Sequence, residues 1–503
     1  MASPRSIGIV GAGPAGLAAA KLAIERGFDV TVFEKHAHLG GIWNPHANGA
    51  YASVRMQTSR RAFHYSDFDP IDPSCEFLTR QGLYEYLHAY SQHFGVHPHI
   101  RFRSEVISIA RNPAGWSVTA RTPAGQESHA FQFIIVANGE LWRSKLIEHT
   151  GPTPLTAKNY DRPDAFAGRS VLVIGGGVSG ADIAAELSNT AARVHWSIRK
   201  PALLLPRLWG QVPNDGCFSY AARREVQNWE RERYLSFLSE CMPGYMQQYT
   251  STGLLPQELQ NNAIHVNDSA VPAVAEGRVQ VCPGVARLRD ASHAEFLDGT
   301  TQRFDNILLC AGYQAPDYSF IEDFAPEDLY EHFFFSKDPT LAVLNTPPMA
   351  DGYGTACPYF EAIAFWLLQV FDGARSLPAP SERQQWCEWQ AAQPFRKSFY
   401  DCWLKTIQIG LLSGQLPDPG EDFQAYWHIV SNGVTPSNLC AKPQHRWTPA
   451  FDDLVDLPET RTRLLASLPS SALGRLVASA QISAEEAHRA EHMRSRAISP
   501  TLC

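Results

Sequence analysis

Ile7-Gly8-Ile9-Val10-Gly11-Ala12-Gly13-Pro14-Ala15-Gly16 lies near the start of this chain of 503 residues and decides how the rest is read. An apolar, β-branched run breaks into G-x-G-x-x-G and passes into the alanine-rich stretch Leu17 to Arg26. That order predicts a strand, a tight turn and a helix, whose glycines let the backbone approach a pyrophosphate seated on the helix N-terminus. The pattern returns at Val171-Leu172-Val173-Ile174-Gly175-Gly176-Gly177-Val178-Ser179-Gly180, ahead of a helical stretch from Ala181 to Ser188. One such motif carries little weight. Two, each in the right context, predict an α/β protein with two Rossmann-like dinucleotide-binding domains.

The two units end differently. In the first, the strand Val30-Thr31-Val32-Phe33 closes on Glu34. An acidic residue there accepts from a ribose 2′-hydroxyl and repels a 2′-phosphate, so FAD or NAD is expected. The second unit runs through Arg193-Val194-His195-Trp196-Ser197-Ile198-Arg199-Lys200. Arg199 and Lys200, with the hydroxyl of Ser197, suit the phosphomonoester of NADPH. The contrast points to FAD first and NADPH second.

Composition narrows the class. A formal charge of -8 argues against nucleic-acid or anionic-membrane binding. The ten cysteines show no C-x-x-C pair, which suits a reducing compartment and argues against a flavin disulfide reductase. The chain enters its first strand almost at once, with no stretch that reads as a signal peptide. The most apolar stretch, Ala362 to Phe371, is too short for a membrane span. A soluble, cytoplasmic protein is expected, with no metal site and with room for a homodimer.

Along the chain, the sequence predicts the first part of an FAD-binding domain at 1–160 and an NADPH-binding domain at 161–300. A helical insertion falls at about 213–262, with Glu225 to Glu240 as its helix and Trp229, Tyr234, Phe237, Tyr245 and Tyr249 as lid packing. The strand Ile307-Leu308-Leu309-Cys310-Ala311-Gly312-Tyr313 ends in small residues and glycine, like Val136 to Gly139. It is therefore read as re-entry into the first domain, giving a return at 301–375 and a second domain inserted in the first. A mostly helical C-terminal extension, 376–503, is expected to contain helices at Glu382 to Trp389 and Ser398 to Ile407, and a polar tail, Ala484 to Arg496.

Residues 5 to 375 resemble the flavin-containing monooxygenases, single-component class B enzymes that use FAD and NADPH. The resemblance rests on Gly11-x-Gly13-x-x-Gly16 with Glu34, then Leu39-Gly40-Gly41-Ile42-Trp43, Arg55-Met56-Gln57-Thr58-Ser59 and Phe63-His64-Tyr65-Ser66-Asp67-Phe68. It continues through Ser179-Gly180-Ala181-Asp182, Ser197-Ile198-Arg199-Lys200, Ala311-Gly312-Tyr313 and Pro358-Tyr359-Phe360-Glu361 with Trp366. The cofactor-binding residues it implies around the flavin are Gly11, Gly13, Pro14, Ala15, Gly16, Glu34, Lys35, Gly41, Ile42, Trp43, Arg55, Met56, Val106 and Glu361. Those implied around the nicotinamide nucleotide are Gly175, Gly177, Val178, Ser179, Gly180, Ser197, Arg199 and Lys200, with Ala311 and Gly312 at the hinge. Gln57, standing where the family carries a flavin-facing Asn, and Thr58 are the catalytic candidates.

The chain departs from the family at Gln57, at a first hinge that reads Ala137-Asn138-Gly139 rather than A-T-G, and in the signature before the second fingerprint. Of the F-x-G-x-x-x-H-x-x-x-(Y/F) signature only Tyr160 survives, with Thr150, Pro152 and Thr156 at the other positions. The variant of that signature typical of Baeyer–Villiger enzymes is absent too.

The resemblance implies that NADPH reduces the flavin, that O2 adds at flavin C4a, and that retained NADP+ shields the C4a-hydroperoxyflavin from water. A soft nucleophile on a small-molecule substrate then takes one oxygen atom. The leading expectation is N-oxygenation of a fairly large specialised metabolite, since the insertion and extension would enlarge or roof a pocket. S-oxygenation or Baeyer–Villiger oxidation are the alternatives, and a non-catalytic flavin-binding interaction protein is a further one.

Overall fold

The structure is a computed structural model that describes residues 5–69, 74–226, 228–258, 264–345, 356–393, 399–433 and 449–496. The β-branched run of the first fingerprint forms β1 (Ser6–Val10), followed by α1 (Pro14–Glu25) and β2 (Asp29–Phe33). Alanine side chains let α1 settle closely on the sheet, and Ala15, Ala18, Ala19, Ala20 and Ala23 are buried there. β1 pairs in parallel with β2 on one side and with β3 (Phe133–Val136) on the other, Ile9 standing opposite Val32 and Ile135. Among the described residues the first sheet has seven strands and the second has five.

The second unit repeats the plan. β4 (Ser170–Ile174) leads into α2 (Val178–Leu187) and β5 (Arg193–Ser197). β4 is flanked by β5 and by β6 (Asn306–Leu309), with Val173 opposite Trp196 and Leu308. The fold is therefore two Rossmann-like units, the second inserted in the first.

The placement of β6 corrects the expected return at 301–375. β6 belongs to the second sheet, and re-entry comes with the short strands Leu329–Tyr330, Phe334–Phe335 and Leu341–Val343, the last pairing with β3. The likeness of Leu309–Gly312 to Val136–Gly139 has another cause. β3 and β6 are equivalent strands, each beside the fingerprint strand of its own unit, so each must end in small residues where the nucleotide approaches.

The insertion also differs from expectation. In place of one helix at 225–240, the described residues of the insertion form three, Tyr220–Val226, Arg231–Cys241 and Pro243–Ser251. Its expected end at Asn262 lies outside the described residues. Tyr234, Phe237 and Tyr249 are buried and, with Trp229 and Tyr245 against them, join the core of the second domain with Trp209, Phe218 and Phe451. They form interior packing rather than a lid.

The long helix α3 (Ala356–Phe371) packs on α1 in the first core. The extension supplies helices at Pro380–Ala391, Phe399–Ser413, Phe423–Val430, Leu457–Ala466, Ser470–Ala478 and Ala484–Arg496. The expected start at Ser398 lies outside the described residues. Ile409 joins the first core, whereas Ile407, Leu416 and Tyr426 pack with Tyr220 and Ala221 of the insertion, so the extension straps both domains. No helix among the described residues is long and apolar enough to cross a membrane.

Candidate active site

Two cavities open at the two fingerprints. The first, about 400 Å³, is bounded by Gly11, Gly13, Pro14 and Ala15, by Glu34 and Lys35, and by Gly41, Ile42, Trp43, Met56 and Val106. The second, about 470 Å³, is bounded by Gly175, Gly177, Val178 and Ser179, by Ser197, Arg199 and Lys200, and by Ala311 and Gly312. Ile42, Trp43, Met56 and Leu141 border both, so the cavities meet there. A flavin ring and a nicotinamide must meet for a hydride to pass, and this apolar junction is where they would do so.

The backbone at each fingerprint suits a bound pyrophosphate. Gly11 has φ +102°, and a Cβ there would collide with the carbonyl oxygen of Ala137; Gly175, at φ +128°, would collide with that of Cys310. A Cβ on Gly16 or Gly180 would strike the carbonyl oxygen of Gly11 or Gly175. These two third glycines line neither cavity and serve the close seating of helix on strand. Gly13 and Gly177 are the N-caps of α1 and α2; neither helix has a side-chain cap or an acid in its first turn. The first N–H groups are thus left to an anion.

Glu34 is 4 % exposed and accepts from Ala12 N at 2.9 Å and His36 N at 2.8 Å. Burial raises its pKa against the pull of those backbone donors. The carboxylate keeps further lone pairs for a ribose hydroxyl, as FAD requires. At the second site Arg199 and Lys200 are exposed at the cavity edge, as a 2′-phosphate requires. Ser197 Oγ is committed to the fold, donating to Pro283 O at 2.7 Å and accepting from Val285 N at 3.1 Å. The residues present fit FAD in the first cavity and NADPH in the second.

The catalytic candidates separate. Gln57 lines the second cavity, and its Oε1 accepts from Val266 N at 3.2 Å, which leaves the NH2 of the amide for the cavity. Thr58 is 2 % exposed and borders neither cavity. Arg55 lines the second cavity, not the first. Glu361, 3 % exposed, lines neither cavity: Ser66 N donates to it at 2.9 Å and Ser66 Oγ at 2.8 Å. Burial pushes its pKa up to about 7. It clamps α3 to the Tyr65–Phe68 segment, while Phe360 reaches the first cavity. Tyr160, the survivor of the broken signature, donates to Glu186 on α2 at 2.7 Å.

Several wall residues were not anticipated. Asn345 Nδ2 donates to Asn138 Oδ1 at 2.9 Å and its Oδ1 accepts from Gly139 N at 3.1 Å, closing the first cavity beside β3. Trp142, on the wall of the first cavity, lies beneath the expected Lys35 and beneath Lys158, which stand 4.4 and 4.5 Å from its ring centroid. Burial lowers the Lys158 pKa to about 8. Tyr51 and His265 line the second cavity. The Asn in Ala137-Asn138-Gly139 was a visible signal; the others are far apart in sequence and had none.

The family described as flavin-binding monooxygenase-like matches residues 4–412. Flavin-containing monooxygenase 1 of Mus musculus is 29 % identical over 437 residues, 81 % of each chain. Dimethylaniline monooxygenase [N-oxide-forming] 2 of Pan troglodytes is 28 % identical over 405 residues, 75 % of each chain. The solved structure of S-allyl-L-cysteine S-oxygenase from Allium sativum superposes with a TM-score of 0.58 at 19 % identity, covering 92 % of this chain and 99 % of that one. With paired nucleotide cavities that fit FAD and NADPH, and a match across four fifths of its length, the chain belongs to the flavin-binding monooxygenase-like family and is a flavin-dependent monooxygenase.

Proposed function

We propose that this monooxygenase oxygenates the nitrogen of an amine on a specialised metabolite. One observation carries the reading: the described residues that border both cavities, Ile42, Trp43, Met56 and Leu141, include no carboxylate, while Arg199 and Lys200 are taken up by the NADPH phosphate. An amine at this apolar junction gains no counter-ion from the protein, and burial lowers its pKa. It is held neutral, with its lone pair available as a nucleophile.

When bound, FAD supplies the oxygen-activating chemistry and NADPH the reducing equivalents. The protein does the rest. Ile42, Trp43, Met56 and Leu141 keep the junction dry, and the Gln57 amide offers N–H donors beside it. Relatives named as N-oxide-forming agree with this reading. The described cysteines are free, as a reducing compartment would leave them.

The test is a panel of amines, thioethers and ketones under labelled O2, with product masses and positions of oxygenation. Amines gaining one labelled oxygen at nitrogen are expected. Turnover confined to small thioethers and ketones would overturn the reading. The S-oxygenase among the structural neighbours motivates thioethers as the second class, and pH separates the two. Amine kcat/KM should rise with pH as the substrate deprotonates, whereas a thioether should show no such rise.

A further inference from the structure

The segment Arg55–Ser59 belongs to the first domain in sequence, yet it is held by the second. Arg207 Nε donates to Met56 O at 2.8 Å, and Arg207 Nη2 to Arg55 O at 3.1 Å. Asn214 Nδ2 donates to Gln57 O at 2.9 Å. Ser59 N donates to Asp215 Oδ2 at 2.5 Å, and Val266 N holds the Gln57 side chain. Upstream, Tyr51 OH donates to Asp182 on α2 at 2.5 Å. On its other edge the segment joins its own domain through Met56 N to Leu78 O, at 2.8 Å, and Arg60 N to Glu76 O, at 2.7 Å.

Arg207 is 8 % exposed, and its charge is balanced by Asp268, which pairs with its guanidinium and accepts from its backbone N at 2.7 Å. A guanidinium pinned to two carbonyls and a carboxylate has little freedom to reorient, so it transmits displacement. The C-terminal extension backs this stretch. Ala450 N donates to Gly216 O at 3.2 Å, Phe451 N to Cys217 O at 3.0 Å, and Ser219 N to Asp452 Oδ1 at 2.9 Å. Those extension residues lie beyond the family match at 4–412.

We propose that Arg207, with Asn214, is a positioning residue that ties Gln57 to the second domain, so that the amide faces the junction only when the two domains hold this mutual attitude. Rotation of the second domain then moves Gln57 with the nucleotide fingerprint, and the extension stiffens the tie from behind. The catalytic consequence rests on the reading of Gln57 given above; the tether itself does not.

The test uses full-length, flavin-loaded Arg207→Met, Arg207→Lys, Gln57→Ala and the Arg207→Met/Gln57→Ala double variant. Peroxide released per NADPH consumed should rise about tenfold in Arg207→Met, with KM for NADPH within about twofold and partial recovery in Arg207→Lys. The double variant should be no more uncoupled than Gln57→Ala alone. Hydrogen exchange of the peptide spanning 54–60 should quicken in Arg207→Met while β1 stays protected. Additive uncoupling in the double variant, or unchanged exchange at 54–60, overturns the proposal. Unchanged coupling in Gln57→Ala sinks the role of Gln57 and leaves the tether to be judged by exchange alone.

Discussion

The two nucleotide-binding units share one backbone plan and differ in where their charges lie. In the first, the strand end carries a buried carboxylate, Glu34, held by Ala12 and His36. In the second, it carries exposed cations, Arg199 and Lys200. Burial makes the first site part of the core, with cofactor and fold stabilised together. The contrast predicts that the first site keeps its cofactor while the second, whose cations are exposed, exchanges it.

Exchanging alanine for one glycine in each unit should break that comparison most severely. Gly11→Ala places a methyl on a carbonyl oxygen at φ +102°, a strain of more than about 3 kcal/mol, and should yield colourless or insoluble protein. Gly177 has nothing within 4 Å of its virtual Cβ, so Gly177→Ala should keep its flavin and Tm and raise only KM for NADPH. Flavin-to-protein absorbance ratios and thermal melts decide this. If both variants lose flavin equally, the second site is not separable from the fold.

Acid–base behaviour gives the next largest effect. Glu361 titrates at about 7 when folded against an ordinary 4.5, so burial favours its neutral form. The associated stability is fully present below the unfolded pKa and is lost as pH rises through about 7. Its full size is about 3 kcal/mol. Melting wild type and Glu361→Gln at about pH 5 and about pH 8 should show the glutamine variant gaining relative stability at the higher pH. Parallel shifts would mean that Glu361 is charged in the fold.

The cation side is sharpened by cofactor choice. Arg199→Ala should raise KM for NADPH roughly ten- to hundredfold while KM for NADH barely moves, since a charge-assisted phosphate contact contributes about 1.5–3 kcal/mol. Equal changes for both nucleotides would remove Arg199 from the phosphate site. A somewhat smaller effect is expected at Glu34→Gln, which keeps one acceptor oxygen but sets its NH2 against one of the two backbone donors and should weaken FAD by about 1–3 kcal/mol, measured by flavin release on dilution. A loss as large as that of Gly11→Ala would show that the second carboxylate oxygen anchors the whole loop.

The legible parts of the molecule are those whose requirement is local. Gly11 and Gly175 need positive φ within a few residues of chain, so strand, turn and helix could be read directly from the fingerprints. The acidic and basic strand ends were equally readable, because a strand carries its terminal residue to the cofactor mouth. Glu361 and Thr58, expected at the cofactor from their motifs, line neither cavity, since a motif names a residue and packing alone turns its side chain. The strand at 306–309 was misplaced because equivalent positions in two like units carry like sequences.

By itself, then, the sequence determined two nucleotide folds, their order and the charge each would meet, because those properties depend on neighbours along the chain. Only the tertiary structure decided that Arg207, Asn214 and Val266, some 150 to 209 residues away, hold the segment bearing Gln57. Such hydrogen bonds join residues whose types are ordinary and whose separation carries no periodicity. Their partners are chosen by how two domains dock, which no local pattern encodes.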